Sequence, residues 1–313
     1  MLRRAFPLGF VICLFLASLL FFNRLVPIAE PVLTKSDFET QARPTLTYVA
    51  IGDSLTEGVG DSTMQGGFVP ILSQKITSQY GQNVDFYNYG KAGNTSKQIL
   101  KRMRENPEIK KNLAQADFMT LTVGGNNVMS VVRKNLDKLS LSSFTQPVQV
   151  YQQQLRQILG LARRDNKDLP IYIVGIYNPF YLSFNELTEM QTVIDDWNKA
   201  TQAVVSEYNG VYFVPVNDLL YKGLDGKQGL EVSEDDSPTD SETTSESEPS
   251  FFDAIFGSEE ETDTDKQSTT ASNESLNNLL SDDHFHPNNT GYLIMTNAIM
   301  EKILETKEEW KTD

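Results

Sequence analysis

Cysteine is nearly absent from the 313 residues. Cys13 stands alone, which excludes an intrachain disulfide and any cysteine-rich metal site. Histidine is almost as scarce: the two residues, His284 and His286, share one short segment, so any imidazole chemistry must be done there. An excess of positive charge is missing too. The 27 Lys and Arg face 42 Asp and Glu for a net charge of −15. No basic stripe dominates, and nucleic acid is not an expected partner. The acid excess is local, because residues 231–265 hold fourteen Asp or Glu and no Lys or Arg, leaving the rest near neutral. No internal repeat is visible. Hydrophobic residues, at 39%, are enough to fill a sizeable core and to exclude global disorder.

The first segment concerns address rather than fold. Arg3 and Arg4 precede an uncharged, mostly apolar run over 5–22. Eighteen residues at about 1.5 Å each reach about 27 Å, close to the thickness of a bilayer core. A cleaved signal peptide would need small residues three apart before the cut, and no clean pair follows the run. Residues 1–25 are therefore expected to anchor the chain in the cell membrane, with the arginines inside and the bulk extracellular. Secretion after cleavage is the alternative. Residues 26–44, with Pro27, Pro31 and Pro44, read as a linker.

From residue 45 the pattern alternates. Short β-rich runs cover 45–51, 84–89, 118–123, 171–177 and 211–216, and helical stretches separate them. The clearest helix has Leu187, Met190, Ile194, Trp197, Thr201, Val204 and Tyr208 at spacings of three and four. A last helix carries Tyr292, Met295, Ile299 and Ile303 on one side. Five strands joined by crossovers imply an α/β fold of three layers, α/β/α, around a five-stranded parallel sheet. The domain is expected over 45–306, interrupted by an acidic low-complexity insertion at 230–280, with a tail at 307–313. Ligands of such sheets bind beyond the carboxyl ends of the strands.

Several of those ends are unusual. Gly52-Asp53-Ser54-Leu55 follows the first strand, Gly90-Lys91-Ala92-Gly93-Asn94 the second and Gly124-Gly125-Asn126-Asn127 the third. Asp283-His284-Phe285-His286-Pro287 precedes the last helix. Singly, each reads as a turn or a cap. Together they supply a serine nucleophile, a histidine to take its proton and a carboxylate to orient that histidine. The Ser54 and Gly93 N–H groups and the Asn126 amide can meet a developing oxyanion.

These four blocks resemble the SGNH (GDSL) hydrolases over about 45–304. A narrower resemblance, to a YpmR-type branch of Gram-positive bacteria, rests on 52–68, 175–180 and 283–288. The resemblance implies a flavodoxin-like fold and carboxylic-ester hydrolysis with no metal or other cofactor. Ser54 is then the nucleophile, His286 the base, Asp283 its partner, and Ser54, Gly93 and Asn126 the oxyanion hole. Tyr177 and Asn178, after the fourth strand, are expected to line the substrate cleft. Pro287 is expected to open the last helix. Activity should rise with pH as a histidine loses its proton. One position departs from the family pattern: Asn127 stands where an Asp is usual.

Other readings remain open. Asp282, Asp283, His284 and His286 have ligand-like spacing, but zinc sites draw on more elements than one loop. A surface binding module on the same fold would need no catalysis, and an acyltransferase would use the same residues. The partner expected is a small-molecule or lipid ester. The insertion reads as a solvated loop, a cover over the cleft built on the apolar island 251–256, or a calcium-binding run.

Overall fold

The computed structural model describes residues 10–18, 21, 45–135, 138–179, 188–221, 230–231 and 276–306. The chain divides into two compact units, 1–43 and 44–313. In the first, residues 10–18 and 21 are helical and expose apolar side chains, Phe10, Phe15 and Phe21 among them. No helix among the described residues is long and apolar enough to cross a membrane. The remainder of the apolar run, Arg3, Arg4 and the 26–44 linker lie outside the described residues.

In the second unit, β1 (Leu46–Gly52), β2 (Val84–Gly90), β3 (Phe118–Thr122), β4 (Ile171–Val174) and β5 (Val211–Val214) form one parallel sheet in the order β2-β1-β3-β4-β5. Val49, Ile51, Met119, Leu121, Ile171 and Ile173 pack on one side. Tyr48, Ala50, Phe118, Tyr172 and Val174 pack on the other. Burial on both faces is why the strands read as near-continuous apolar runs rather than alternating ones. The first side is covered by α3 (Ser96–Glu105), α4 (Pro107–Ala114), α5 (Gly125–Lys134), α6 (Thr145–Ala162) and α7 (Thr188–Val205). The second is covered by α2 (Phe68–Tyr80), α8 (Asn217–Tyr221) and α9 (Asn289–Thr306). A one-turn helix, α1 (Ser54–Glu57), follows β1 directly. The three-layer α/β architecture is the one that the pattern of strands and helices anticipates.

The helix faces expected from spacing are the buried ones: Met190, Ile194, Trp197 and Val204 on α7, and Tyr292, Met295, Ile299 and Ile303 on α9. β5 ends at Val214 and α7 at Val205, short of expectation, and two further boundaries differ with a visible cause. β4 stops at Val174, because Asn198 of α7 takes over the next ladder positions: its Oδ1 accepts from Ile176 N–H (2.9 Å) and its Nδ2 donates to Ile176 C=O (2.8 Å). Pro287 does not open α9. It pairs with Leu280 in an isolated antiparallel bridge, and Asn288 caps the helix by accepting from Gly291 N–H at 3.0 Å.

The ends of the insertion are also more ordered than a solvated loop. β6 (Leu230–Glu231) and β7 (Leu276–Asn277) pair antiparallel, and Leu279 and Leu280 are buried against the body. The segment between them, 232–275, lies outside the described residues, and with it the apolar island and the roles weighed for it. The tail 307–313 lies outside as well.

Candidate active site

The end of β1 holds Ser54 as the first residue of α1. Asp53 caps that helix, accepting from Leu55 N–H at 3.2 Å. Gly58 closes it in the left-handed region, φ 93°, donating to Ser54 C=O at 2.9 Å. Asp53 is itself locked to β3: the Thr122 hydroxyl donates to its Oδ1 at 2.7 Å, and Asp53 N–H donates to the Thr122 hydroxyl at 3.2 Å. Burial pushes the Asp53 carboxyl up, against the opposing pull of Thr122, Leu55 N–H and the nearby His286. Ser54 is buried at 5% exposure, and its N–H, first in the helix, has no intrahelical acceptor.

The loop before α9 brings His286 to Ser54. His286 Nε2 lies 2.9 Å from Ser54 Oγ, and His286 Nδ1 lies 2.5 Å from Asp283 Oδ2. The other oxygen of Asp283 accepts from Phe285 N–H (2.9 Å), His286 N–H (2.9 Å) and the Ser281 hydroxyl (2.8 Å). Partial burial alone would raise this carboxyl. The bonds from His286, Phe285 and Ser281 outweigh it and hold the carboxyl well below the usual carboxylate range. An Asp three residues before a His thus folds the loop back on itself. Ser281 N–H donating to His286 C=O at 2.8 Å completes the turn. Gly60 lies against the outside of this loop at φ 91°, where a Cβ would sit 2.4 Å from Pro287 O and 3.1 Å from His286 Cβ. Only glycine allows this approach.

The turn after β2 is held from four directions. Lys91 N–H donates to Gly52 C=O at 3.1 Å, and Ala92 N–H donates to Glu57 Oε2 at 2.5 Å. Asn94 N–H closes the turn on Lys91 C=O at 3.2 Å. Arg102 donates to Asn94 Oδ1 (2.8 Å), Tyr89 C=O (3.0 Å) and Gly52 C=O (2.8 Å), joining the ends of β1 and β2 to this turn. Asn126, from the start of α5, donates one amide hydrogen to Asn94 C=O at 3.2 Å and keeps the other. Across 91–94, Gly93, exposed at φ 74°, has the one N–H with no acceptor among the described residues.

Asn127 faces the other way. Its Oδ1 accepts from Ser96 N–H at 2.9 Å and its Nδ2 donates to Ser96 Oγ at 2.8 Å. Ser96 Oγ then donates to Gln154 Oε1 at 2.5 Å. A backbone N–H can only donate, so the direction of this chain is fixed from its first bond.

Ser54, Asn126 and Tyr177 line one cavity with Val123, Ile176 and Phe285, and the Tyr177 hydroxyl donates to Phe285 C=O at 2.6 Å. Burial pushes the Tyr177 phenol well up, so it stays a neutral donor. Asn178 does not line the cavity. Its N–H donates to Asn217 Oδ1 at 2.9 Å and its amide to Gln191 at 3.2 Å, tying the end of β4 to α8 and α7. His284 is exposed at φ 52°, and its ring makes no hydrogen bond among the described residues. No group of three or more His, Cys, Asp or Glu placed to hold a metal ion occurs among the described residues. Asp53, Glu57, Arg102, Thr122 and Ser281 support the site but were not singled out from the sequence. Glu57, Arg102 and Thr122 act on partners that only folding brings near, whereas Asp53 also caps α1 locally at Leu55 and Ser281 donates to Asp283 two residues on.

Ser, His and Asp in hydrogen-bond contact at the carboxyl edge of a parallel sheet is an arrangement found in serine hydrolases. The model of the GDSL-like lipase/acylhydrolase family matches residues 50–235, more than half of the chain, and the chain belongs to that family. The matched stretch covers the Ser54, Gly93 and Asn126 blocks and stops before Asp283 and His286. The protein YpmR of Bacillus subtilis is 29% identical over 198 residues, 63% of this chain and 76% of its own length. The spore germination lipase LipC of Bacillus licheniformis is 30% identical over 142 residues, 44% of this chain and 66% of its own. The crystal structure of the lipase Lip_vut3 from a goat rumen metagenome shares the fold, with TM-score 0.57 and 19% identity over 82% of this chain and 97% of that one.

Proposed function

We propose that the protein is a serine esterase that cleaves carboxylic esters through an acyl-enzyme. The reading rests on one observation, the Asp283–His286–Ser54 relay at 2.5 and 2.9 Å beside an apolar cavity. Ser54 Oγ attacks the ester carbonyl as His286 Nε2 takes its proton, and Asp283 holds the imidazole and stabilises its cation. The N–H groups of Ser54 and Gly93 and the second amide hydrogen of Asn126 receive the oxyanion. His286 then returns the proton to the departing alcohol and activates water to release the acid. The cavity, about 40 Å³ and walled by Val123, Ile176, Tyr177 and Phe285, suits a short acyl group better than a long tail. A series of p-nitrophenyl esters of increasing length tests this: rates should peak at acetyl to butyryl. A maximum at long chains overturns the short-acyl assignment, and transfer to an added alcohol with no free acid released overturns hydrolysis. An organophosphonate probe should label wild type and not Ser54→Ala.

We also propose that the apolar run over 5–22, with Arg3 and Arg4 before it, anchors the catalytic domain on the outer side of the cell membrane. Fractionation that recovers a soluble form starting after residue 29 overturns the anchor in favour of cleavage.

A further inference from the structure

The parallel sheet has two edges, and they are finished differently. β5 is four residues long, none of its residues is exposed, and Pro215 follows it. β2 is seven residues long and exposes four in a row, Asp85, Phe86, Tyr87 and Asn88. Successive strand residues point to opposite faces, so the middle of β2 is open on both. Phe86 and Tyr87 are 41% and 42% exposed, one on each face. No Lys or Pro stands on β2 to blunt it as an edge. The two ends of the β1–β2 ladder fix which backbone groups face outward. Leu46 N–H donates to Asn83 C=O, and Lys91 N–H donates to Gly52 C=O. In the parallel register between them, the odd-numbered residues of β2 turn their N–H and C=O toward β1. Val84, Phe86, Asn88 and Gly90 turn theirs to the outer edge. Two of these groups are met by side chains: Ser73 Oγ donates to Val84 C=O at 3.1 Å, and Gly90 N–H donates to Asn88 Oδ1 at 2.8 Å. The others, Val84 N–H, both groups of Phe86, both of Asn88 and Gly90 C=O, have no partner among the described residues.

This pattern is its own complement. A second copy of β2, laid antiparallel across a two-fold axis at Tyr87, sets Phe86 against Asn88 and Val84 against Gly90 of the other copy. Each Val84 N–H then meets a Gly90 C=O, each Phe86 N–H an Asn88 C=O, and each Asn88 N–H a Phe86 C=O. Every free group on both strands is used. The groups left facing each other, Val84 C=O and Gly90 N–H, are the two already satisfied within their own chain. An axis at Phe86 would set Asn88 N–H against the occupied Val84 C=O, and an axis at Asn88 would set Phe86 C=O against the occupied Gly90 N–H. Side chains agree with the Tyr87 axis. Tyr87 lies across from its own copy in a non-hydrogen-bonded pair, where side chains stand closest, and Phe86 meets its copy on the diagonal of the other face. The Asp85 carboxylates fall on opposite sides of the axis, each across from a Tyr89. The Tyr89 hydroxyl accepts from Asn112 at 2.7 Å and keeps its hydrogen to donate. We propose that β2 is a dimerisation edge: a second copy of this chain adds its β2 antiparallel across Tyr87 and joins two five-stranded sheets into one. No β2 residue lines the cavity at Ser54, so the inference does not depend on the esterase reading.

The test uses the full chain in neutral detergent. Sedimentation should show one chain per particle at about 1 μM and two at about 100 μM, as expected of a small interface. The backbone amides of Val84, Phe86 and Asn88 should gain protection from hydrogen exchange over the same range. In a Cys13→Ser background, Tyr87→Cys should link two chains under mild oxidation, because facing non-hydrogen-bonded positions sit within disulfide reach. Asp85→Cys should not. Phe86→Pro removes an outward N–H, which an edge strand tolerates, and should leave one chain per particle at about 100 μM with the fold kept by circular dichroism. Should Phe86→Pro fail to fold, Tyr87→Lys sets two ammonium groups face to face and carries the same test. One chain per particle at about 100 μM, with no link through Tyr87→Cys, overturns the proposal. So does a dimer that survives the folded variant, since it would be held elsewhere. Protection of the three amides at every concentration in a single-chain particle also overturns it, because the edge would then be covered by the chain's own residues. A link formed by Asp85→Cys and not by Tyr87→Cys overturns the axis.

Discussion

The two loops that complete the site are built differently. The base loop, 281–286, is held largely by itself: Asp283 accepts from Ser281, Phe285 and His286, and Ser281 N–H donates to His286 C=O. The turn at 91–94 is held by others: Gly52, Glu57, Arg102 and Asn126 come from four other parts of the chain. A self-contained loop can follow an insertion of any length, because its geometry is short-range and the cost of closing a longer loop grows slowly. The pairing of β6 with β7 ahead of it fits that logic. A turn held from outside cannot be moved without moving its neighbours. It leaves the Gly93 N–H with no acceptor among the described residues.

The comparison can be broken most sharply at the base loop. His286→Ala should cost about 10²–10⁴ in kcat, whereas His284→Ala should cost at most about threefold, since the His284 ring bonds to nothing described. Ester kinetics on both variants checks the order, and the reverse ranking refutes the register. At the turn, Asn126→Ala should cost about 10²–10³ in kcat with little change in KM. Loss through KM alone would assign Asn126 to ground-state binding. Arg102→Lys keeps the charge but cannot reach Asn94, Tyr89 and Gly52 at once. It should lower kcat about tenfold with KM nearly unchanged, and an unchanged kcat would show that the turn holds without it.

Acid separates the loops further. The folded Asp283 carboxyl titrates below its unfolded value, so its contribution to stability is complete above the unfolded value of about 3.9 and is lost as pH falls through the folded one. The stability gap between wild type and Asp283→Asn, read by urea melts, should therefore be constant near neutrality and narrow toward strong acid. A gap that widens on acidification contradicts the bonding described. The smallest effect is expected from Asn127→Asp. The Ser96 hydroxyl would then turn to donate to the carboxylate, and a flip of the Gln154 amide restores the chain. Activity should stay within about twofold, and a larger loss would show that the amide at 127 matters to the turn.

The sequence by itself determined the sheet and most of the candidate site residues. Buried parallel strands must be apolar runs, so 45–51, 84–89 and 118–123 were legible within a residue or so of their ends. With two histidines in one segment the base had few places to be, and Asp283 reaches His286 within a single turn of loop. Tertiary structure alone decided the rest. Ser54 and His286 are 232 positions apart in sequence, and no local pattern states that they meet at 2.9 Å. Arg102 reads as one more charge on an amphipathic helix until the ends of β1 and β2 converge on it. Asn178 looked like a cleft residue because it follows a strand, but the shortened β4 turns it toward α7 and α8.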